Sequence, residues 1–293
     1  MDLLSSRELF SDLQAGYQFG YRHNLDVRWV NTVFHMHPHY EFYLFIRGNA
    51  QMLIEDESFD VHPMDLFIFP PGLMHRAQIT DSSIPYERAY FYATRQVLSE
   101  MSSCGFPILS LLEESGNGKI YSVHAGKEDG LEFIRQIDAC MDADSDTDPL
   151  ARAMNWCRIQ ALSLMTCRIL RRRETLFPRP ATRMDEIIRY INDHLIDALT
   201  LEELSDQFFL SKYTLLHEFK NHTSISVHQY ILYKRISYAQ QLMQNGISPG
   251  NAARQSGFND YAGFYRAFLR RNNITPQAYF RQVRETGGSF PPL

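Results

Sequence analysis

Two stretches in the last third of the chain, LEELSDQFFLSKYTLLHEF (residues 201–219) and PGNAARQSGFNDYAGFYRAF (residues 249–268), follow one plan. Each predicts a short helix, a tight turn and a second helix that is apolar on one face and polar on the other. Ser205 and Ala253 supply small side chains where the first helix has to approach the second, and Gly257 provides a turn. This geometry is typical of a helix-turn-helix, whose second helix enters the major groove of DNA.

Local signals mark where the helices around these units begin. Thr200 with Glu203 and Ser226 with Gln229 both fit the capping box, in which two side chains satisfy the first free amides of a helix. The second box opens a long helix, which we expect to act as a rigid spacer between the two units. Asp260 is placed to cap the second recognition helix.

Residues 27–95 show a different pattern. The runs FYLFI (42–46), QMLI (51–54) and DLFIF (65–69) are short, aromatic and β-branched, and turn residues separate them. Short strands at such close spacing predict an all-β sandwich or barrel, because a sheet of this kind has to close or pair to bury its apolar face.

Residues 127–172 predict a pair of helices that follows the barrel. In the second helix one apolar stripe recurs at spacings of three and four residues. The stripe can pack on the barrel or form a dimer seam, and both interpretations stay open. Its members are Leu150, Met154, Cys157, Ala161, Leu164 and Met165.

Charge is distributed unevenly along the 293 residues. The net charge is −5, whereas residues 207–293 hold 10 Lys and Arg against 3 Asp and Glu. A basic end on an acidic chain is expected when one domain meets phosphate and the other does not.

Other classes of protein fit the sequence poorly. No apolar run is long enough to span a membrane, and the polar start lacks the features of a signal peptide, so we expect a cytoplasmic protein without membrane contact. The four cysteines are scattered and indicate no disulfide framework. No arrangement of nucleophile and base and no phosphate loop is evident, so the sequence does not indicate an enzyme.

The C-terminal region resembles the DNA-binding domain of the AraC/XylS family of bacterial regulators. The match covers about 100 residues, and its motifs fall in the family's order. The resemblance implies two major-groove contacts per subunit on one face of the DNA. The matching stretches are LTLEEL (199–204), YKRI (233–236) with Ala239, GFND (257–260) with Phe264, Arg266 and Phe268, and TPQAY (275–279).

Matching the second helices to the family position by position implies which residues meet DNA. Arg266 is the best candidate for reading guanine, because a guanidinium can donate two hydrogen bonds to O6 and N7. Phosphate contacts are expected from Lys212, Lys220, Arg270 and Arg271. The groove-facing residues are Tyr213, Thr214, Leu216 and His217 in the first helix and Tyr261, Ala262, Tyr265 and Arg266 in the second.

The N-terminal half is similar to the cupins, small β-barrels that the AraC/XylS family commonly carries. HMHPHYE (35–41) followed by Gly48 resembles the first cupin motif, and PPGLMH (70–75) resembles part of the second. In metal cupins the matching residues hold a divalent ion. The resemblance therefore implies Zn, Ni, Fe or Mn bound by His35, His37, Glu41 and His75.

The same region can instead form a pocket for an organic effector. Imidazoles and a carboxylate bind hydroxyl groups, and aromatic rings stack on a sugar. The effector-binding candidates are Trp29, His35, His37, Glu41, Tyr43 and His75.

We therefore predict a multidomain protein. An all-β barrel of the cupin or jelly-roll type carries an appended helical pair and precedes an all-α domain with two helix-turn-helix units. The predicted boundaries are 1–126 for the effector-binding domain, 127–172 for a helical dimerisation segment, 173–182 for the linker and 183–286 for the DNA-binding domain.

The predicted function is that of a transcription regulator, an activator, which responds to a small molecule such as a sugar or related carbon source. Its expected partners are operator sites in promoter DNA, a second copy of the chain, and RNA polymerase. Two alternatives stay open. One is a metal-dependent cupin enzyme, and the other is a ligand-independent DNA-binding protein that uses the barrel only for dimerisation.

Overall fold

The computed structural model describes residues 19–27, 33–103, 105–114, 121–142, 148–172 and 180–285. Within these ranges every strand lies before residue 125, and only helices follow. This order confirms the predicted fold class, a cupin-like β-sheet domain with attached helices followed by an all-helical domain.

Antiparallel strands build the N-terminal domain. They are β1 (Phe19–Asp26), β2 (Tyr40–Arg47), β3 (Asn49–Ile54), β4 (Glu57–Asp60), β5 (Asp65–Phe69), β6 (His75–Asp81), β7 (Tyr86–Ala93) and β8 (Tyr121–His124). A five-stranded sheet has the order β1-β7-β2-β5-β8, and a three-stranded sheet has the order β4-β3-β6. The two sheets enclose one apolar interior between them.

Strand β2 shows why the strands of the larger sheet have nearly continuous apolar sequences. Tyr43 and Phe45 belong to the interior of the barrel. Phe42 and Leu44 belong to a separate core on the other face of the sheet. Because successive side chains of a strand point to opposite faces, a strand that is covered on both sides needs apolar residues throughout.

Helices cover that second face. They are α1 (Arg95–Ser102), α2 (Ile108–Glu114), α3 (Lys127–Met141) and α4 (Pro149–Arg171). Asp129 of α3 accepts hydrogen bonds from Arg168 and Arg172, both at 2.6 Å, and the amide of Asn155 in α4 donates to the hydroxyl of Tyr21 at 2.8 Å. These bonds hold the predicted helical pair together and against β1.

The apolar stripe predicted on α4 faces away from the barrel over its first half. Leu150 is 66% exposed and Met154 is 47% exposed, and Cys157 and Ala161 are exposed as well. Leu164 and Met165 are half-buried against the core of the sheet. The packing interpretation is therefore wrong for the first four stripe residues, because the opposite side of α4 covers the barrel.

Only helices form the C-terminal domain within the described residues. They are α5 (Arg183–Asp193), α6 (Leu201–Gln207), α7 (Lys212–Thr223), α8 (Val227–Gln244), α9 (Pro249–Gln255), α10 (Tyr261–Asn272) and α11 (Pro276–Glu285). The capping boxes predicted at the starts of α6 and α8 are both present, and α5 has a third, in which Thr182 pairs with Asp185.

Helices α6 and α7 form the first helix-turn-helix unit, and α9 and α10 form the second. Leu204, Leu215 and Phe219 are buried in the core of the first unit. Phe264 and Phe268 are buried in the core of the second. Helix α8 contributes to both cores, so it is the spacer that the sequence predicts. None of the described helices combines the length and apolarity needed to cross a bilayer.

Gly257 makes the turn between α9 and α10 with φ +85°. A Cβ at this position would lie 2.9 Å from Cα of Ile196. We expect Gly257→Ala to lower the free energy of unfolding by at least about 1–2 kcal/mol, because alanine resists this left-handed conformation. Urea denaturation followed by circular dichroism measures the change.

The matched control is Gly250→Ala in the first turn of α9. No heavy atom lies within 4 Å of a Cβ there. Alanine is the better helix former, so the control should raise stability by up to about 1 kcal/mol. Equal effects of the two substitutions would contradict the assigned turn.

Candidate functional site

The first recognition helix presents its predicted reading face to solvent. Tyr213 is 79% exposed, and Leu216 and His217 are exposed beside it. The rings of Tyr213 and His217 lie parallel with centroids 6.0 Å apart. Thr214 is half-buried, and its hydroxyl bonds the N-cap hydroxyl of Ser211 at 2.8 Å. The exposed part of this face carries both aromatic surface and hydrogen-bonding groups.

The second recognition helix also turns its predicted residues outward. Tyr261, Ala262 and Arg266 are exposed, and Tyr265 is half-buried. Arg266 and Arg270 line a groove of about 370 Å³ between α10 and the spacer helix α8. The side chain of Asp260 accepts a hydrogen bond from the amide of Gly263 at 2.7 Å, which confirms the predicted cap. This cap fixes the first turn of α10, the part of a recognition helix that meets base edges in helix-turn-helix proteins.

The four residues expected on phosphate fall into two groups. Lys220 and Arg270 are exposed, and Lys212 is exposed but pairs with Glu202. Arg271 instead faces the N-terminal domain. Its Nη2 donates to the carbonyl of Met36 at 3.2 Å, and its guanidinium lies 4.5 Å from the ring centroid of Tyr233. The structure therefore gives Arg271 a partner in the N-terminal domain, which its basic neighbours in the sequence did not suggest.

A histidine cluster lies at the edge of the barrel. His35 forms a β-bridge with His75, the first residue of β6, and Glu41 lies near the start of β2. The ligand atoms of His35, Glu41 and His75 all lie within 4.8 Å of one another. His37 joins them through its Nε2, which lies 2.7 Å from Oε2 of Glu41.

Backbone carbonyls orient the three imidazoles in the same way. The Nδ1 atoms of His35, His37 and His75 donate to the carbonyls of Val33, His39 and Leu73 at 3.0, 2.9 and 2.9 Å respectively. With Nδ1 protonated, the Nε2 of a neutral imidazole carries a lone pair. This tautomer leaves Nε2 as the free ring nitrogen in His35 and His75, and in His75 it faces Glu41.

The electrostatics of the cluster favour neutral His35 and His75 beside an ionised Glu41. Burial lowers the pKa of His35 to about 3, with the neighbouring His75 and His37 acting in the same direction. Burial also lowers the pKa of His75. Burial alone would raise the pKa of Glu41, but contact with His37 and His75 holds it well below its ordinary value. The cluster thus combines nitrogen lone pairs with one negative charge.

This donor set fits a divalent transition-metal ion. His75 Nε2 is buried and makes no hydrogen bond within the described part of the chain, although it lies 3.3 Å from Glu41 Oε2. Lone pairs that face a carboxylate need a cation between them, either a proton or a metal. Two imidazoles and a carboxylate suit Zn, Ni, Fe or Mn. His37 already bonds both Glu41 and a backbone carbonyl, so it is better placed to orient Glu41 than to act as a ligand.

The structure describes one of the two remaining effector candidates. Tyr43 is buried inside the barrel, and its hydroxyl contacts the hydroxyl of Tyr86. Burial raises the pKa of Tyr43 well above its ordinary value, so its hydroxyl stays protonated. Trp29 lies outside the described residues.

A contact between the two domains is the feature that the sequence did not reveal. Phe34 and Met36 are buried in the core of the first helix-turn-helix unit. Charged groups surround this core. Asp56 bonds Arg189 of α5 at 2.8 Å, and Glu55 pairs with Lys234 of α8. Short-range patterns cannot show such contacts, because the partners lie more than 100 residues apart.

Two family models match the chain. A model described as an AraC-like ligand binding domain matches residues 21–102. A model described as a helix-turn-helix domain matches residues 204–282. The first range contains the histidine cluster, and the second contains most of α6 and all of both recognition helices.

Individual proteins are similar over part or most of the chain. The regulatory protein PocR of Salmonella typhimurium is 32% identical over 112 residues, which are 38% of this chain and 36% of PocR. The arabinose operon regulatory protein of the same species is 25% identical over 243 residues, which are 80% of this chain and 81% of that protein. A solved structure of ToxT from Vibrio cholerae aligns with 91% of this chain and 100% of its own, at 12% identity and a TM-score of 0.41.

We expect Zn²⁺ to bind the full chain at the histidine cluster and His75→Ala to weaken this binding by at least about tenfold, since even residues that only hydrogen-bond a metal ligand contribute about 10–100-fold. Isothermal titration calorimetry measures the affinity. The matched control is His62→Ala, because the side chain of His62 is 74% exposed and lies outside the cluster. Unchanged Zn²⁺ affinity in His75→Ala would contradict the assigned site.

Proposed function

The chain is a regulator of the AraC/XylS family, with an AraC-like ligand-binding domain and a C-terminal helix-turn-helix domain, and on this premise we propose that it activates transcription in response to a small molecule bound in its N-terminal barrel. The family assignment makes it a DNA-binding transcription regulator and not an enzyme. It removes the alternative of a cupin enzyme.

The observation that carries the proposal is the pair of outward reading faces on α7 and α10. Leu215 and Phe219 anchor the first helix in its core, and Phe264 and Phe268 anchor the second, so packing sets the orientation of both faces without DNA. The exposed residues include an arginine for guanine and apolar groups that can contact thymine methyls. We propose that the two helices enter successive major grooves on one face of promoter DNA.

For the effector we propose a sugar or a related carbon source. The similarity to the arabinose operon regulatory protein supports this class at 25% identity. The chemistry of the cluster supports it as well, because neutral imidazoles and an ionised carboxylate both bind hydroxyl groups. A divalent metal is the second candidate occupant, on the evidence of the clustered ligand atoms.

An effector has a regulatory effect only if it binds one arrangement of the protein better than another. A calorimetric titration of the full chain against a sugar panel tests the first candidate, and Zn²⁺ tests the second. If neither a sugar nor a metal changes the DNA affinity, the remaining alternative is favoured, in which the barrel serves dimerisation alone.

The exposed stripe on α4 supports a homodimer. Leu150 and Met154 present apolar surface to water with Cys157 and Ala161 alongside, while the opposite face of the helix is buried in the core between the sheet and the helices. A second copy would cover this surface through a two-fold contact of the stripe with itself. A dimer would place four recognition helices along the promoter in the cytoplasm, where an activator meets RNA polymerase.

We expect Arg266→Ala to cost about 1–3 kcal/mol of DNA-binding free energy and to relax the base preference at one position, because a bidentate guanine contact is lost. Fluorescence anisotropy with a set of single-base operator variants measures both effects in the full chain. The control is Arg135→Ala, whose side chain pairs with Glu132 on α3, far from the reading faces. An equal loss of affinity for all operator variants would show that Arg266 binds phosphate.

We expect Met154→Glu to shift the chain from dimer to monomer, because the substitution places a charge in the apolar seam. Sedimentation velocity measures the mass. Leu25→Glu is the control, since Leu25 is a 55% exposed leucine on strand β1, outside the stripe. A dimer that persists in Met154→Glu and weakens in Leu25→Glu would place the interface on the β-sheet.

A further inference from the structure

Residues 33–37 lie at the point where the barrel meets the helical domain. This segment is extended, because it pairs with His75 of β6 through two hydrogen bonds of 3.1 and 3.0 Å between His35 and His75. In an extended segment alternate side chains point to opposite sides. His35 and His37 accordingly face the histidine cluster, and Phe34 and Met36 face the core of the first helix-turn-helix unit.

The same segment bonds both recognition helices. The amide of Phe34 donates to the carbonyl of Thr223, the last residue of α7, at 3.0 Å. The carbonyl of Met36 accepts from Arg271, in the last turn of α10, at 3.2 Å. Two backbone groups that are two residues apart thus hold the C-terminal ends of the two DNA-reading helices.

Side-chain packing makes these two bonds part of a rigid contact. Phe34 is 1% exposed, and its ring lies 6.4 Å from the ring of Tyr230 in the spacer helix. The buried Arg76, next to His75 in β6, donates from Nη1 to the hydroxyl of Ser224 just after α7. Arg271 lies over the ring of Tyr233, and burial lowers its pKa, in keeping with a guanidinium withdrawn from solvent.

The turn after β5 extends the contact to the spacer helix. The amide of Gly72 donates to the carbonyl of His37 at 2.9 Å. A Cβ on Gly72 would lie 2.3 Å from Oγ of Ser237 in α8, so the turn and the helix are in close contact. The segment and its neighbours therefore touch α7, α8 and α10, the three helices that set the distance between the reading faces.

We propose that residues 33–37 fix the relative placement of the two recognition helices and transmit occupancy of the histidine cluster to them, with Arg271 as a positioning residue and not a phosphate contact. The proposal rests on the proposed function, since it takes the cluster as the effector site. A ligand at His35 contacts one side of residues 33–37. The C-terminal ends of α7 and α10 are held by the other side and by the backbone of the same residues.

Hydrogen exchange of the full chain tests the coupling without DNA or ligand. Arg271→Gln should raise the amide exchange rate at least severalfold in residues 33–37 and in the last turn of α7. The reason is that losing the hydrogen bond to Met36 destabilises the whole segment. Arg271→Lys keeps a donor and should restore most of the protection. The matched control is Arg270→Gln, whose exposed side chain leaves the segment unchanged. Increased exchange confined to α10 would overturn the coupling.

DNA binding separates the two roles of Arg271. Log affinity falls with log salt, and each lost phosphate contact should decrease the magnitude of this negative slope by about 0.9. Arg270→Gln should show this decrease, whereas Arg271→Gln should keep the wild-type slope and lose most of the change in DNA affinity that Zn²⁺ causes. A decrease of about 0.9 in Arg271→Gln would overturn the positioning role. Absence of specific DNA binding in the wild type would refute the proposed function, while the exchange measurement still decides the coupling.

Discussion

Burial of Phe34 and Met36 in the core of the first helix-turn-helix unit is the contact on which the arrangement of the two domains depends. Burying one large apolar side chain contributes about 1.5–3 kcal/mol. Coupling between allosteric sites typically amounts to about 1–3 kcal/mol. Two such side chains contribute about 3–6 kcal/mol, more than a typical coupling energy, so the apolar contact is large enough to hold one domain arrangement.

The basic residues of the helical domain fall into two groups, those that pair with the barrel and those that stay exposed on the recognition helices. Glu55 and Asp56, in the turn between β3 and β4, pair with Lys234 and Arg189 and so fix the acidic barrel against the basic helices. The exposed Lys220, Arg266 and Arg270 lie on the recognition helices and are not part of these pairs. The uneven charge of the chain therefore reflects both DNA binding and the contact between domains.

Much of the fold could be predicted because its determinants are local. A capping box such as that of Thr200 and Glu203 depends on only four consecutive residues, and its hydrogen bonds form as the pattern predicts. The motif around His35 and Glu41 likewise lies on adjacent parts of the chain, and the structure brings both residues together with His75.

The domain contact could not be predicted in the same way. Phe34 and Met36 read as ordinary apolar residues of a strand, and nothing near them in the sequence indicates that their partners lie in the other domain. A phosphate contact is the expectation for Arg271 as a basic residue of a recognition helix, yet its partner Met36 is 235 positions away. The dual role of His37, bonded to Glu41 and a carbonyl, also depends on side-chain orientation that spacing does not specify.

Both helix-turn-helix units of one chain are expected to bind DNA together. Selection of bound sequences from a randomised DNA pool by the full chain measures this. We expect two short sequence blocks per subunit whose centres lie about one helical turn, or about 10 base pairs, apart, because both contacts fall on one face of the duplex. A single block, or binding without any enriched sequence, would show that the two units do not read DNA together.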